Sequence, residues 1–153
     1  AAMLKERSAI ILKNDIWVVS DDIYEKIVFD GFKFANLPML EPALYERTVI
    51  AHGLSKTYAM TGWRVGYLAG PKEVARAAAK IQSQSTSNPW SISQKSALAA
   101  SSGPQDSVTE MAKSFNRRRD DALRLLTETP AVPAPKASGD SQLFLNISVY
   151  FGR

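Results

Sequence analysis

The stretch HGLSKTYAMTGWRVGYLAGP, His52 to Pro71, holds a lysine preceded by a serine, an arginine eight residues further on, and four glycines. Lys56 brings an amine and Arg64 a planar fork of donors suited to an anion. Upstream, VVSDDIY supplies Asp21 and Tyr24. With the Ser55 hydroxyl, these side chains give a carboxylate, a phenol, an alcohol, an amine and a guanidinium. If they converge, they surround one pocket suited to amine-centred chemistry on an anionic ligand. If they do not, Lys56 is a solvated surface cation like most lysines.

Convergence depends on the elements that carry them. DIWVVSDD, from Asp15, has four consecutive large apolar residues and stops on Ser20, Asp21 and Asp22. That pattern predicts a strand buried on both faces of a parallel sheet. RTVIAHG predicts a second buried strand, RVGYLAG a third, and SQLFLNISVYF, ending at Phe151, a last one. Helices are expected over 1–13, from Pro71 into the break at 83–89, over 91–101, and over 107–128, where Val108, Met111, Phe115, Leu123 and Leu126 share a face. FDGFKFANLPMLEPALYE and TPAVPAPKASGD read as loops. Strands joined by helical or looped crossovers imply an α/β fold with a mainly parallel sheet. Ligands bind outside the carboxyl ends of such strands. There the first strand delivers Asp21 and Tyr24, and the second Ser55 and Lys56.

Composition narrows the chemistry. The chain has 153 residues, 45% hydrophobic and 22% charged, enough for an ordinary core. It has no cysteine and one histidine, His52, so thiolate chemistry is absent and no metal site is expected. The longest apolar runs, AIIL and ALAA, are far short of the ~20 residues of a membrane helix, and no signal-peptide pattern opens the chain. A soluble cytoplasmic protein is expected, with no membrane partner. The net charge of +4 is spread along the chain. The dense run Arg117–Arg119 is followed by Asp120 and Asp121, which reads as a solvated helix face and argues against nucleic acid. A mild excess of cations suits a phosphate.

VVSDDIYEKIVFDGFKF and HGLSKTYAMTGWRVGYLAGP, with QSQSTSNP downstream, resemble class I aminotransferases of the fold-type I pyridoxal-phosphate group, closest to bacterial aspartate aminotransferases. The likeness runs to about residue 126 and weakens from Thr127. It implies a role for each site residue. Lys56 matches the lysine that condenses with the cofactor aldehyde and later carries a proton between the substrate α-carbon and the cofactor C4′, a task that needs the amine neutral part of the time. Asp21, favoured over Asp22 by its spacing to Tyr24, matches the carboxylate that keeps the pyridine nitrogen protonated. Tyr24 matches the phenol that donates to the 3′-oxygen, and Arg64 the arginine that grips the phosphate. Ser55 is a further hydroxyl for the phosphate. Gly53 stands where some relatives carry a serine. Trp63 reads as packing and His52 as a hydrogen-bonded turn residue. QSTSN at 84–88 is either a reach toward a neighbouring subunit's site or a plain interhelix loop.

The resemblance also implies an organisation. Residues 1–108 correspond to the C-terminal part of a cofactor-binding large domain. Residues 109–153 correspond to the interdomain helix and the start of an α+β small domain, where PKASGDSQLFLN replaces the usual P-x-G-A-F-Y. Longer relatives place a glycine-rich turn, a stacking aromatic ring and an asparagine before this region, and a carboxylate-binding arginine after it. The chain is therefore expected to be a fragment with little activity of its own, from a homodimeric parent acting on aspartate and 2-oxoglutarate. Aromatic, alanine or prephenate specificity, a carbon–sulfur lyase and a non-catalytic cofactor-binding module remain alternatives. Unpaired strand edges and an exposed apolar face are expected consequences of so small a sheet.

Overall fold

The computed structural model describes residues 2–128 and 132–151. The chain divides into two compact units, the first made of residues up to 23 with 34–103, the second of 24–33 with the residues from 104 onward.

The first unit is built on three strands, β1 (Val18–Asp21), β2 (Thr48–Gly53) and β3 (Gly66–Ala69), in the order β1-β2-β3. β1 and β2 run parallel, with Val18 opposite Thr48 and Asp21 opposite Ala51. β3 is antiparallel to β2, with Gly53 opposite Gly66 and Ile50 opposite Ala69. The expected mainly parallel sheet is therefore mixed, because the chain reverses between β2 and β3. A parallel return needs a long crossover, usually helical. Residues 54–65 carry no α-helix. They turn back through left-handed backbone at Ala59 (φ 53°) and Arg64 (φ 48°). Gly66 makes the close return possible, since a Cβ there would stand 2.7 Å from the His52 carbonyl oxygen.

The expectation that β1 is buried on both faces also fails. Its residues alternate between half-buried and exposed, and Val19 is 75% exposed. This strand lies at the edge of a three-stranded sheet and is covered on one face. β2, in the middle, is the best buried strand, through Thr48 and Val49.

Helix α1 (Ala2–Lys13) packs on α2 (Leu37–Leu40) and on a 3-10 segment, Pro42–Arg47. Both of these short elements arise within the stretch expected to be loop. Their starts explain why: the Asn36 side chain accepts from the Met39 amide and the Glu41 side chain from the Ala43 amide, and each precedes a proline in the first turn. Leu44, fully buried, anchors the pair. Helices α3 (Lys72–Ser85) and α4 (Ser91–Ser102) fall where the sequence places them. The apolar stripe of α3 is covered only in part, however: Val74 and Ala78 are half-buried while Ile81 is 71% exposed.

The second unit is organised by α5 (Asp106–Thr127), whose Val108 is buried. Residues 27–29 meet 138–140 in an antiparallel bridge: the Phe29 amide donates to the Ser138 carbonyl and the Asp140 amide to the Ile27 carbonyl, each at 2.9 Å. The strand expected over 141–151 does not form. That segment is irregular, closes on a 3-10 turn at Ser148–Tyr150, and has no ladder partner among the described residues. Residues 129–131 of the expected loop lie outside the described residues.

Arg119 corrects the reading of the arginine run as wholly solvated, because it is 5% exposed. It donates to the Ala137 carbonyl at 2.7 Å and pairs with Asp30 at 3.0 Å and Asp120 at 2.7 Å. Its guanidinium also lies over the Phe29 ring, 4.9 Å from the centroid. Burial opposes its charge, but the hydrogen bonds to Asp30 and Asp120 outweigh that and raise its pKa. Asp30 feels the reverse. Hydrogen bonds from Arg119 and Lys136 lower its pKa from 3.8 to about 2.

A depressed carboxylate stabilises the fold above its ordinary pKa, and that contribution disappears as pH falls through the lowered value. Asp30→Asn should therefore lower the urea midpoint at pH 5, with the gap to the parent closing between the ordinary 3.8 and about 2. A gap independent of pH across that window would show that the Asp30 charge contributes nothing. Salt should narrow the gap at pH 5, since Asp30 is half-exposed.

Candidate active site

The register of the sheet decides which residues meet. β1 ends at Asp21 and β2, parallel to it, ends at Gly53, with Ser55 and Lys56 just beyond. β3 runs the other way, so its beginning lies beside the end of β2, with Gly66 opposite Gly53. Arg64 stands two residues before that beginning. Asp21, Ser55, Lys56 and Arg64 are thus carried to one edge of one sheet. Tyr24 belongs to the second unit, where its hydroxyl lies 3.4 Å from Ser141 Oγ.

The two neighbouring carboxylates are used differently. Asp22 is buried and accepts from Ser20 Oγ at 2.6 Å and Asn36 Nδ2 at 2.7 Å, while its amide donates to the Ala51 carbonyl. Asn36 in turn caps α2. Asp22 therefore ties the end of β1 to the fold. Asp21 is exposed and accepts from the Ile23 amide at 3.2 Å. Its carboxylate still has lone pairs for a ligand.

Lys56 is half-buried in the turn after β2, between buried Leu54 and Thr57. The Tyr58 amide donates to the Leu54 carbonyl at 3.1 Å, closing the turn. The Lys56 backbone is thereby fixed in the turn. Ser55 is half-buried in the same turn. His52 lies within β2 rather than after it. Its Nδ1 accepts from the Gly53 amide at 2.7 Å, and its ring stacks on Tyr67 with centroids 5.0 Å apart.

Arg64 is exposed and follows a 3-10 turn, Thr61–Trp63. It adopts left-handed backbone, φ 48° and ψ 51°, which costs a residue with a Cβ about 1–2 kcal/mol. Its Nη1 donates to the Thr61 carbonyl at 2.7 Å. Trp63, expected as packing, is itself exposed. Two residues not singled out in the sequence support this edge, Asn36 beneath Asp22 and Ser93 beneath Trp63. A serine inside a helical pattern and an asparagine in a loop carry no signal of such partners.

A separate hollow of about 450 Å³ lies in the second unit, lined by Phe29, Phe115, Arg118 and Ser141 among others. Asp21, Ser55, Lys56 and Arg64 are not among its walls. Among the described residues no group of acidic or histidine side chains could hold a metal ion, and no helix is long and apolar enough to cross a membrane.

The family model for aminotransferase class I and II matches residues 1–145. The chain belongs to this family. The chain is 48% identical over 138 residues to an aspartate/prephenate aminotransferase of Cereibacter sphaeroides, covering 90% of itself and 34% of that protein. It is 54% identical over 105 residues to an aspartate aminotransferase of Rhizobium meliloti, covering 69% of itself and 26% of that protein. The crystal structure of the Rhizobium meliloti aspartate aminotransferase superposes with a TM-score of 0.81 at 44% identity, over 86% of this chain and 33% of that one. The chain thus spans about a third of the length of the aminotransferases it matches.

Class I aminotransferases use pyridoxal phosphate. The donor set at the sheet edge fits that group. The amine of a half-buried lysine suits its aldehyde, an exposed carboxylate suits its protonated ring nitrogen, and the guanidinium of an exposed arginine suits its phosphate.

Proposed function

We propose that this chain is the cofactor-anchoring portion of a cytoplasmic, homodimeric aminotransferase that moves an amino group from aspartate to 2-oxoglutarate. The observation that carries the reading is the mixed register, which delivers Asp21, Lys56 and Arg64 to one sheet edge. Relatives named aspartate aminotransferase support the choice of donor. On this reading residues 1–108 belong to the large domain and 109–153 to the interdomain helix and the start of the small one.

When bound, pyridoxal phosphate supplies an electrophilic carbonyl and a protonated ring that draws electrons from the substrate α-carbon. The chain's residues do the rest. Arg64, with Ser55, would hold the phosphate by charge-assisted hydrogen bonds. Asp21 would keep the proton on the ring nitrogen through its negative charge. By the family resemblance alone, Tyr24 would donate its phenolic proton to the 3′-oxygen. Lys56 would hold the aldehyde end of the cofactor and, as a free amine, accept and return a proton at its Nζ. Since catalysis depends on holding both reactants in place, a third of the usual chain gives turnover far below that of complete relatives.

The reading is tested by titrating the chain with pyridoxal phosphate and with pyridoxal, following visible absorbance. A site built around Arg64 binds the phosphorylated form tighter by about tenfold or more, the range of charge-assisted hydrogen bonds. Equal affinities for the two compounds would defeat it.

A further inference from the structure

We propose that Ser93 is a positioning residue for Arg64, acting through the Trp63 carbonyl and setting the selectivity of the site for a phosphorylated ligand. The proposal rests on the reading of Arg64 as the phosphate-binding group.

The turn that presents Arg64 is thinly supported. Thr61, Gly62, Trp63 and Arg64 are all exposed. The 3-10 turn has no side-chain cap, and its own bond runs from the Trp63 amide to the Met60 carbonyl at 3.2 Å. Yet Arg64 holds left-handed backbone that residues with a Cβ rarely adopt. Something outside the turn has to favour that conformation.

Ser93 provides it. It lies in the first turn of α4, is 1% exposed, and donates its hydroxyl to the Trp63 carbonyl oxygen at 2.7 Å. That carbonyl and the Arg64 amide belong to a single planar peptide group. Fixing the oxygen therefore fixes the plane from which the Arg64 φ rotation begins. Without the bond, the Trp63–Arg64 peptide can rotate and Arg64 can fall into the right-handed region, which redirects its Cβ and with it the guanidinium. The Nη1 bond back to the Thr61 carbonyl holds the side chain over the same turn, so a shift of the turn moves the whole donor fork.

A buried serine could instead serve stability alone. The two roles separate in the affinity ratio of pyridoxal phosphate to pyridoxal, because a general loosening weakens both compounds and a misdirected Arg64 weakens only the phosphorylated one. Ser93→Ala should lower the ratio by about threefold, within the range of one neutral hydrogen bond and less than the full preference that Arg64 confers. Arg64→Ala should lower it further. Ser93→Cys keeps nearly the same volume with a weak donor, and should fall on the side of Ser93→Ala; it also supplies the reading if the alanine variant unfolds by circular dichroism. Ser8→Ala is the control: it removes another buried hydroxyl, bonded to the Leu4 carbonyl in α1, and should leave the ratio unchanged. An unchanged ratio in the Ser93 variants, with a reduced one in Arg64→Ala, overturns the proposal and leaves the function standing. An unchanged ratio in Arg64→Ala overturns the phosphate role and the proposal together.

Discussion

Lys56→Ala is expected to abolish the visible absorbance change that pyridoxal phosphate produces with this chain, while leaving the thermal unfolding midpoint almost unmoved. The turn around Lys56 is held by its neighbours: Leu54 and Thr57 are buried, and the Leu54 carbonyl takes the Tyr58 amide. Removing a half-exposed side chain from such a frame costs within about 0.5 kcal/mol. The chemistry has no such reserve, because a methyl group offers no nucleophile. Lys56→Arg sharpens the result by restoring the positive charge without a usable amine, and it should be equally silent in absorbance. A change that survives in either variant would mean that another lysine captures the aldehyde.

The second large effect separates two adjacent carboxylates. Asp22→Ala should destabilise the first unit by about 1–3 kcal/mol, since it strands buried Asn36 and the Ser20 hydroxyl that now bond to it. Loss of Asp22 also loosens Asn36, which caps α2. Asp21→Ala should leave stability within about 0.5 kcal/mol. It should instead weaken pyridoxal phosphate and shift its absorbance, because no anion then holds the ring proton. Urea midpoints and absorbance spectra of the two variants check this. Both effects appearing in the same variant would contradict the division of labour.

The candidate residues stand out in the sequence because groups that bind one ligand must sit at fixed offsets. VVSDDIY and GLSKTYAMTGWRVG carry those offsets in sequence, and local hydrophobic runs marked the strands that end beside them. The preference for Asp21 over Asp22 rests on spacing in the sequence; in the structure Asp22 is engaged by Ser20 and Asn36, while Asp21 is exposed and accepts from the Ile23 amide. The direction of β3 was not legible. A short apolar run does not state whether it pairs parallel or antiparallel, and the reversal depends on left-handed Ala59 and Arg64, neither a glycine. That reversal matters, because an antiparallel β3 is what brings Arg64 to the edge where β1 and β2 end. The burial of Arg119 was equally hidden, since its partners Asp30 and Ala137 are distant in sequence. The strand expected over 141–151 failed for a related reason: pairing is a long-range property, and alternation without a partner does not make a ladder.

The most direct test of the central claim is chemical capture. Incubation with pyridoxal phosphate, reduction with borohydride, proteolysis and peptide mass mapping should place the reduced adduct on Lys56, with little on other lysines. Labelling scattered among the chain's lysines, with Lys56 no more modified than the rest, would contradict the account.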